Sequence, residues 1–211
     1  MVRLGGMVLC GGKSSRMGLP KASLPFGSES MLVRVVRLLS QAADPIAVVG
    51  APQQALPDLP GAVLWTRDRR EGQGPLEGLR AGLTALEPHV DTAFVVGCDV
   101  PLLAPALVLR MAERLEQHDV AVAVDGEFHH PLAAVYRVSV LPHIVELLAE
   151  NRLRPVFLYD RVSTRRVPID ELRDVDARLQ SFINLNRPED YFAALRQADL
   201  TPDAETLRRL A

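Results

Sequence analysis

The densest grouping of chemically capable residues lies near the N-terminus, in Leu9-Cys10-Gly11-Gly12-Lys13-Ser14-Ser15-Arg16-Met17-Gly18-Leu19-Pro20-Lys21. Adjacent glycines after an apolar run let main-chain N–H groups turn inward, and they carry no side chain that would keep a polyphosphate at a distance. The two common glycine-loop patterns fail on spacing, since a Walker A loop needs GxxxxGK[ST] and a dinucleotide loop needs GxGxxG. What distinguishes the stretch is Arg16 with Lys21, two cations able to neutralise phosphate charge as it builds during transfer. A glycine turn with solvated cations is the plainer alternative, and the spacing of Arg16, Gly18 and Lys21 weighs against it.

Asp99 sits in Gly97-Cys98-Asp99-Val100-Pro101, directly after the apolar run Thr92 to Val96. An acid at the carboxyl end of a strand beside a glycine loop stands where open α/β sheets gather ligand-binding groups. Mg²⁺ takes hard oxygen ligands, often one or two carboxylates completed by substrate phosphate and water, so Asp99 is the expected metal ligand. Asn184 and Asn186 offer amide oxygens for a second contact, with a turn and a cap for the helix at Pro188 as the alternative. Asp68, among Arg67, Arg69 and Arg70, falls just after a strand at the rim of the sheet, with a solvated loop carboxylate as the plainer alternative.

His129 and His130 are adjacent on an extended chain and so point to opposite faces, which rejects a shared metal. Arg152 and Arg154 could clamp an anion, although a solvated arginine is at least as simple. Cys10 and Cys98 should end neighbouring central strands, as small buried hydrophobes rather than nucleophiles. Two cysteines are too few for a disulfide framework, and neither stands in a zinc-ligating cluster.

Short apolar runs alternate with segments of helical period, the pattern of βαβ units, so the fold class is α/β with a mostly parallel twisted sheet and helices on both faces. Strands are expected at Met7 to Cys10, Ile46 to Val49, Val63 to Trp65, Thr92 to Val96, Val120 to Val124 and Leu132 to Tyr136. Glu127 to His130 reads as the turn of a late hairpin, and Phe182 to Leu185 as a short strand. Helices are expected at Ser30 to Leu39, Leu76 to Leu86, Ala104 to Gln117, Val140 to Glu150 and Pro188 to Gln197. A final surface helix follows Pro202 with Thr201 as its N-cap. The arginine-rich stretch 152–166 gives no clear pattern. Neither repeats nor Gly/Ser-rich linkers appear, so one domain over 1–211 is expected, with a core of about 7–197.

The chain has 211 residues, of which 48% are apolar and 24% charged, the balance of an ordinary globular protein. A net charge of −2 gives no basic footprint for nucleic acid or an anionic membrane. Nowhere does an apolar run reach the roughly 18 to 20 residues of a membrane span, and no signal peptide is evident. A soluble, cytoplasmic protein acting on a small phosphorylated ligand is the expectation.

The pattern LxGGxSxRMGxxK resembles the fingerprint of Rossmann-like nucleotidyltransferases, and within them the chain is most similar to the molybdenum cofactor guanylyltransferase family. Further motifs follow in the family's order: RDRREGQGPLEG at 67–78, GCDVP at 97–101, HHPLAAVY at 129–136 and FINLNRPED at 182–190. The resemblance implies a Mg²⁺-dependent transfer of GMP from GTP to molybdopterin with release of pyrophosphate. It implies Arg16, Lys21 and Asp99 as catalytic residues. The nucleotide would be bound by Leu9, Cys10, Gly11, Gly12, Lys21, Gly50, Asp68 and Asp99. The acceptor would meet Gly74, Pro75, Leu76, Gly78, His130 and Arg154, and Asp99 with Asn186 would hold the metal.

It further implies transient contact with cofactor-insertion proteins, by a monomer or weak homo-oligomer. Gly50 departs from the family, which often carries an Asn there to read the base. Related enzymes share the first motif, so CTP in place of GTP, a sugar or polyol phosphate as acceptor, and a catalytically silent nucleotide-binding module are the competing expectations.

Overall fold

Leu4–Leu9 is apolar on both faces of its pleat, as a strand covered on both sides must be, and it forms the central strand β1 with all but Leu4 buried. A computed structural model describes residues 3–11, 17–59, 61–68 and 74–210. Parallel to β1 on one side runs β4 (Ile46–Gly50), followed by β5 (Val63–Arg67); on the other side runs β6 (Thr92–Gly97). Then come β8 (Phe128–Arg137), antiparallel to β6, β7 (Val120–Asp125), antiparallel to β8, and β9 (Thr164–Pro168), parallel to β7. The seven strands make one sheet in the order β5-β4-β1-β6-β8-β7-β9. A two-stranded hairpin, β2 (Pro25–Phe26) with β3 (Glu29–Ser30), stands apart from it.

Helices cover both faces, as the sequence periodicity requires. On one face lie α1 (Met31–Leu39) and α3 (Pro105–Leu115), which pack Leu32, Val35, Leu107 and Met111 against Val8, Phe94 and Val135 of the strands. On the other lie α2 (Gly74–Leu86), α4 (Leu141–Ala149) and the short α5 (Val156–Tyr159), around Met7, Val95 and Tyr136. At Gly82 α2 lies close against the sheet: a Cβ there would stand 2.4 Å from Met7 Sδ. Ser30 caps α1 by accepting from the Val33 N–H at 3.3 Å. A third apolar cluster joins α6 (Pro188–Gln197), through Leu185, Tyr191 and Leu195, to Leu24, Phe26 and Met31.

The chain leaves β1 towards β4 and β5, then returns across it to β6. This reversal makes a crevice at the carboxyl ends of β1 and β6, the place where sheets of this class hold ligands.

Three local expectations are corrected. Residues 128–130 belong to β8, not to a turn; the reversal is at Asp125–Glu127, with Gly126 at φ +56°. Phe182 to Leu185 is no strand: Gln180–Phe182 is a 3-10 turn, and Leu185 bonds to a loop carbonyl instead of a sheet neighbour. The helix after Pro202 is α7 (Ala204–Leu210), and its cap is Asp203, whose Oδ1 accepts from the N–H groups of Glu205 and Thr206 at 3.0 and 2.9 Å; Thr201 lies too far upstream. The arginine-rich stretch contains α5 and the edge strand β9.

Candidate active site

Cys10 and Cys98 continue β1 and β6 into loops, linked to their neighbours by main-chain bonds from Cys10 N to Val49 O and from Cys98 N to Leu9 O, at 2.8 and 3.0 Å. Between these loops opens a cleft of about 250 Å³, whose walls include Gly11, Lys21, Gln54, Asp99, Leu132 and Asn186. Lys21 begins a 3-10 turn after Pro20 and sends its ammonium group across the mouth. Its Nζ donates to Asp99 Oδ2 and to Asn186 Oδ1, both at 2.8 Å. The three side chains, 78 and 165 residues apart in sequence from Lys21, meet at one point.

Two backbone features fix the carboxylate of Asp99. The Leu185 N–H donates to the Asp99 carbonyl at 2.9 Å, which docks the Asn184-Leu185-Asn186 segment beside the loop. A Cβ on Gly97 would stand 2.4 Å from Asp99 Oδ1, so only glycine leaves the carboxylate its position. An acid oxygen and an amide oxygen already converging on one cation form a hard, oxygen-only donor set that fits Mg²⁺ and leaves further positions to substrate phosphate and water.

On the β4 side, the Asp68 N–H donates to the Gly50 carbonyl at 3.0 Å. Asp68 lies between the glycine loop and α2: a Cβ on Gly11 would be 3.2 Å from its Oδ2, and one on Gly78 would be 3.7 Å from its Oδ1. Oδ1 is buried with no hydrogen-bond partner among the described residues. Burial pushes the Asp68 carboxyl up to about 6, the nearby Glu77 charge adds to this, and Arg80 opposes it. Glu77 and Arg80, only 5% and 9% exposed, form a two-pronged pair with both contacts at 2.8 Å.

Gly50 ends β4 without a side chain, and a Cβ there would stand 2.9 Å from Leu56 Cδ1. The neighbouring carboxamide of Gln54 accepts from the Ala51 N–H at 3.0 Å and donates to the Cys10 carbonyl at 3.1 Å. Gln54 thereby lines the cleft beside Gly50. Sequence reasoning missed it, because a glutamine in a Pro-Gln-Gln loop has no spacing that singles it out.

The expected acceptor residues are divided. Gly74, at φ +69°, starts α2 against the Leu153 carbonyl, which would be 3.2 Å from its Cβ, and this brings α2 next to Arg154. Leu76 is fully buried in the core, and Gly78 borders Leu9 and Asp68. Arg154 is exposed just ahead of α5. Arg152 lies over the Phe157 ring, 4.4 Å from its centroid.

His130 is wedged edge-on between Phe128 and Phe182, with centroids 4.8 and 5.0 Å away, and burial lowers its pKa. The two adjacent imidazoles do occupy different surroundings, since His129 lies against Tyr159 instead. Cys10 and Cys98 are buried and neighbouring; a hydrogen bond with Cys98, together with burial, pushes the Cys10 thiol well up, which keeps it from being a thiolate. Gly12 and Arg16 lie outside the described residues.

A family model described as the MobA-like NTP transferase domain matches residues 6–165. A probable molybdenum cofactor guanylyltransferase of Mycobacterium tuberculosis strain H37Rv is 36% identical over 192 residues, covering 89% of this chain and 94% of its own. The corresponding protein of Mycobacterium avium strain 104 is 36% identical over 177 residues, covering 82% and 88%. Among solved structures, the molybdopterin-guanine dinucleotide biosynthesis protein A of Archaeoglobus fulgidus superposes with a TM-score of 0.75 at 21% identity, over 92% of this chain and 98% of that one. A nucleotidyl transferase from Methanothermobacter superposes at 0.71 with 16% identity, over 92% and 97%.

Proposed function

We propose, since this chain belongs to the MobA-like NTP transferase family, that it transfers GMP from GTP to molybdopterin with release of pyrophosphate in a Mg²⁺-dependent reaction. Membership makes it a nucleotidyltransferase; the guanine, the acceptor and the metal are the finer reading. The observation that carries the reading is the convergence of Lys21 Nζ on Asp99 Oδ2 and Asn186 Oδ1 beside the glycine loop, both at 2.8 Å.

An oxygen of the acceptor phosphate attacks the α-phosphorus in line. The new P–O bond forms as the bond to the bridging oxygen breaks, and that oxygen leaves with pyrophosphate. The attacking oxygen is already ionised, so no side chain has to remove a proton. Catalysis is positioning and charge neutralisation. With the triphosphate in place Lys21 would turn from Asp99 and Asn186 to the phosphate oxygens, and the main-chain N–H of Gly11 would take up another. Mg²⁺, held by Asp99 and Asn186, would supply further neutralisation of the triphosphate. The carboxylate of Asp68 would accept N–H groups of the guanine edge through the oxygen that has no partner among the described residues.

A second reading, CTP in place of GTP, draws on Gly50, where no side chain reads the base, and on the Gln54 carboxamide, which offers a donor and an acceptor to either base. Among the described residues no helix is long and apolar enough to cross a membrane. Pyrophosphate release measured across GTP, CTP, UTP and ATP, with molybdopterin and with sugar phosphates, tests the proposal. Release with GTP and molybdopterin alone is expected; a preference for CTP moves the base, and a sugar phosphate as the sole effective acceptor overturns the acceptor.

A further inference from the structure

The crevice has two flanks. β4 and β5 lie on one side of β1, with Gly50, Gln54 and Asp68 at their ends, while β6, β8, β7 and β9 extend on the other. A nucleoside seated against the first flank leaves the acceptor to lie along the second. Outward from Leu132, which lines the cleft, β8 leads to His129 at the rim. His129 lies on the α2 side of the sheet, its ring 5.3 Å from that of the buried Tyr159 at the end of α5.

Arg166 of β9 donates from Nε to His129 Nε2 at 3.1 Å. In this contact the ring nitrogen is the acceptor, since an arginine Nε–H can only donate. The other arginines nearby are matched to acids: Arg165 with Glu116, and Arg161 with Glu146 and Glu150. Arg166 is bonded instead to the His129 ring and, among the described residues, to no acid, so no carboxylate matches its guanidinium charge. A guanidinium braced by an imidazole, with no carboxylate of its own among the described residues, is arranged to receive an anion.

We propose that Arg166 and His129 form an anion-binding subsite on the acceptor flank, which takes a negatively charged group of the phosphorylated acceptor. The inference rests on the proposed transfer reaction for the identity of that acceptor. The anion is either the acceptor's phosphate before attack or, in molybdopterin, the dithiolene sulfurs.

The test is equilibrium titration of the full-length protein with molybdopterin, under anaerobic conditions, beside titration with GTP. Arg166→Gln should weaken molybdopterin binding about ten- to a hundredfold, the range of one lost charge-assisted contact. Arg166→Lys should recover part of it, with GTP affinity and melting temperature unchanged. Dephosphorylated molybdopterin assigns the group: the Arg166→Gln penalty vanishes if the subsite holds the phosphate and persists if it holds the sulfurs. Wild-type affinity for molybdopterin in Arg166→Gln overturns the subsite. If molybdopterin does not bind the wild type while glucose 1-phosphate binds with the same dependence on Arg166, the subsite stands and the proposed acceptor falls. If neither binds, the subsite is overturned.

Discussion

Leu185 and Asp99, 86 positions apart, are joined main chain to main chain, the N–H of one donating to the carbonyl of the other at 2.9 Å. That bond sets the next residue, Asn186, within reach of the Lys21 ammonium held by the Asp99 carboxylate. The charge-handling part of the cleft is therefore assembled from three distant pieces of chain, and each piece can be perturbed separately.

Lys21→Ala and Asp99→Ala should each lower the rate of pyrophosphate release by about 10² to 10³, the usual effect of deleting one preorganised electrostatic contact. Asn186→Ala should cost less and should raise the Mg²⁺ concentration needed for half-maximal rate. Steady-state assays at graded Mg²⁺ check both. Equal effects of Asn186→Ala at all Mg²⁺ concentrations would remove Asn186 from the metal site.

Gly97→Ala should damage activity more than folding. The new methyl would meet Asp99 Oδ1 at 2.4 Å, and β6 is held by strands on both sides, so the carboxylate must yield. A fall of about tenfold or more in kcat, with a shift of only a few degrees in Tm, is expected from misplacing a catalytic group. Circular dichroism melts and kcat measured on the same preparation decide it.

Asp68 should give opposite pH signatures in stability and in binding. Its carboxyl titrates at about 6 in the fold, above the ordinary value of 3.8, because burial and the Glu77 charge disfavour the ionised form while Arg80 partly compensates. A raised acid pKa means the folded state is penalised above about pH 6 and not below about pH 4. Asp68→Asn should thus raise Tm at pH 8 and leave it unchanged near pH 4. If the ionised form reads the base, the wild-type KM for GTP rises as pH falls through 6, and the Asn variant has a high, flat KM. A falling KM at low pH would remove Asp68 from base recognition.

The Glu77–Arg80 pair is buried, and both side-chain contacts of the Arg80 guanidinium go to the Glu77 carboxylate, so removing that carboxylate leaves the Arg80 charge without its acid. Glu77→Leu should destabilise by about 3 to 5 kcal/mol, whereas the double change Glu77→Leu with Arg80→Met should recover much of the loss. Chemical denaturation of the single and double variants checks this. Equal stability of the single and double variants would show that the stranded charge costs little.

That Gly11 and Asp99 would meet at one cleft was legible because each closely follows a strong apolar strand, and strand ends in an α/β sheet deliver residues to a common rim. Amphipathic helices such as α1 and α3 were legible for the same reason of period. What failed was local polarity used as a guide to turns. Phe128-His129-His130 is polar because it lies at the rim of the sheet, where a strand can continue past its covered part, and the register shift after Val122 hides the alternation. Phe182 to Leu185 alternates like a strand, but its N–H groups serve the 3-10 turn and the Asp99 loop. Gln54 and Arg166 carried no motif at all; only the folded chain brings one to the glycine loop and the other to an imidazole.

β8 enters the sheet against the direction of its neighbour β6, so its beginning, not its end, stands at the ligand-binding rim. The turn that precedes it, at Gly126, joins it to β7 rather than to the central strands. A few residues gained or lost in that loop would reshape the far wall while every pairing between β1, β4 and β6 stayed as it is. Descendants of such a scaffold could change what receives the nucleotide without relearning how to hold a triphosphate.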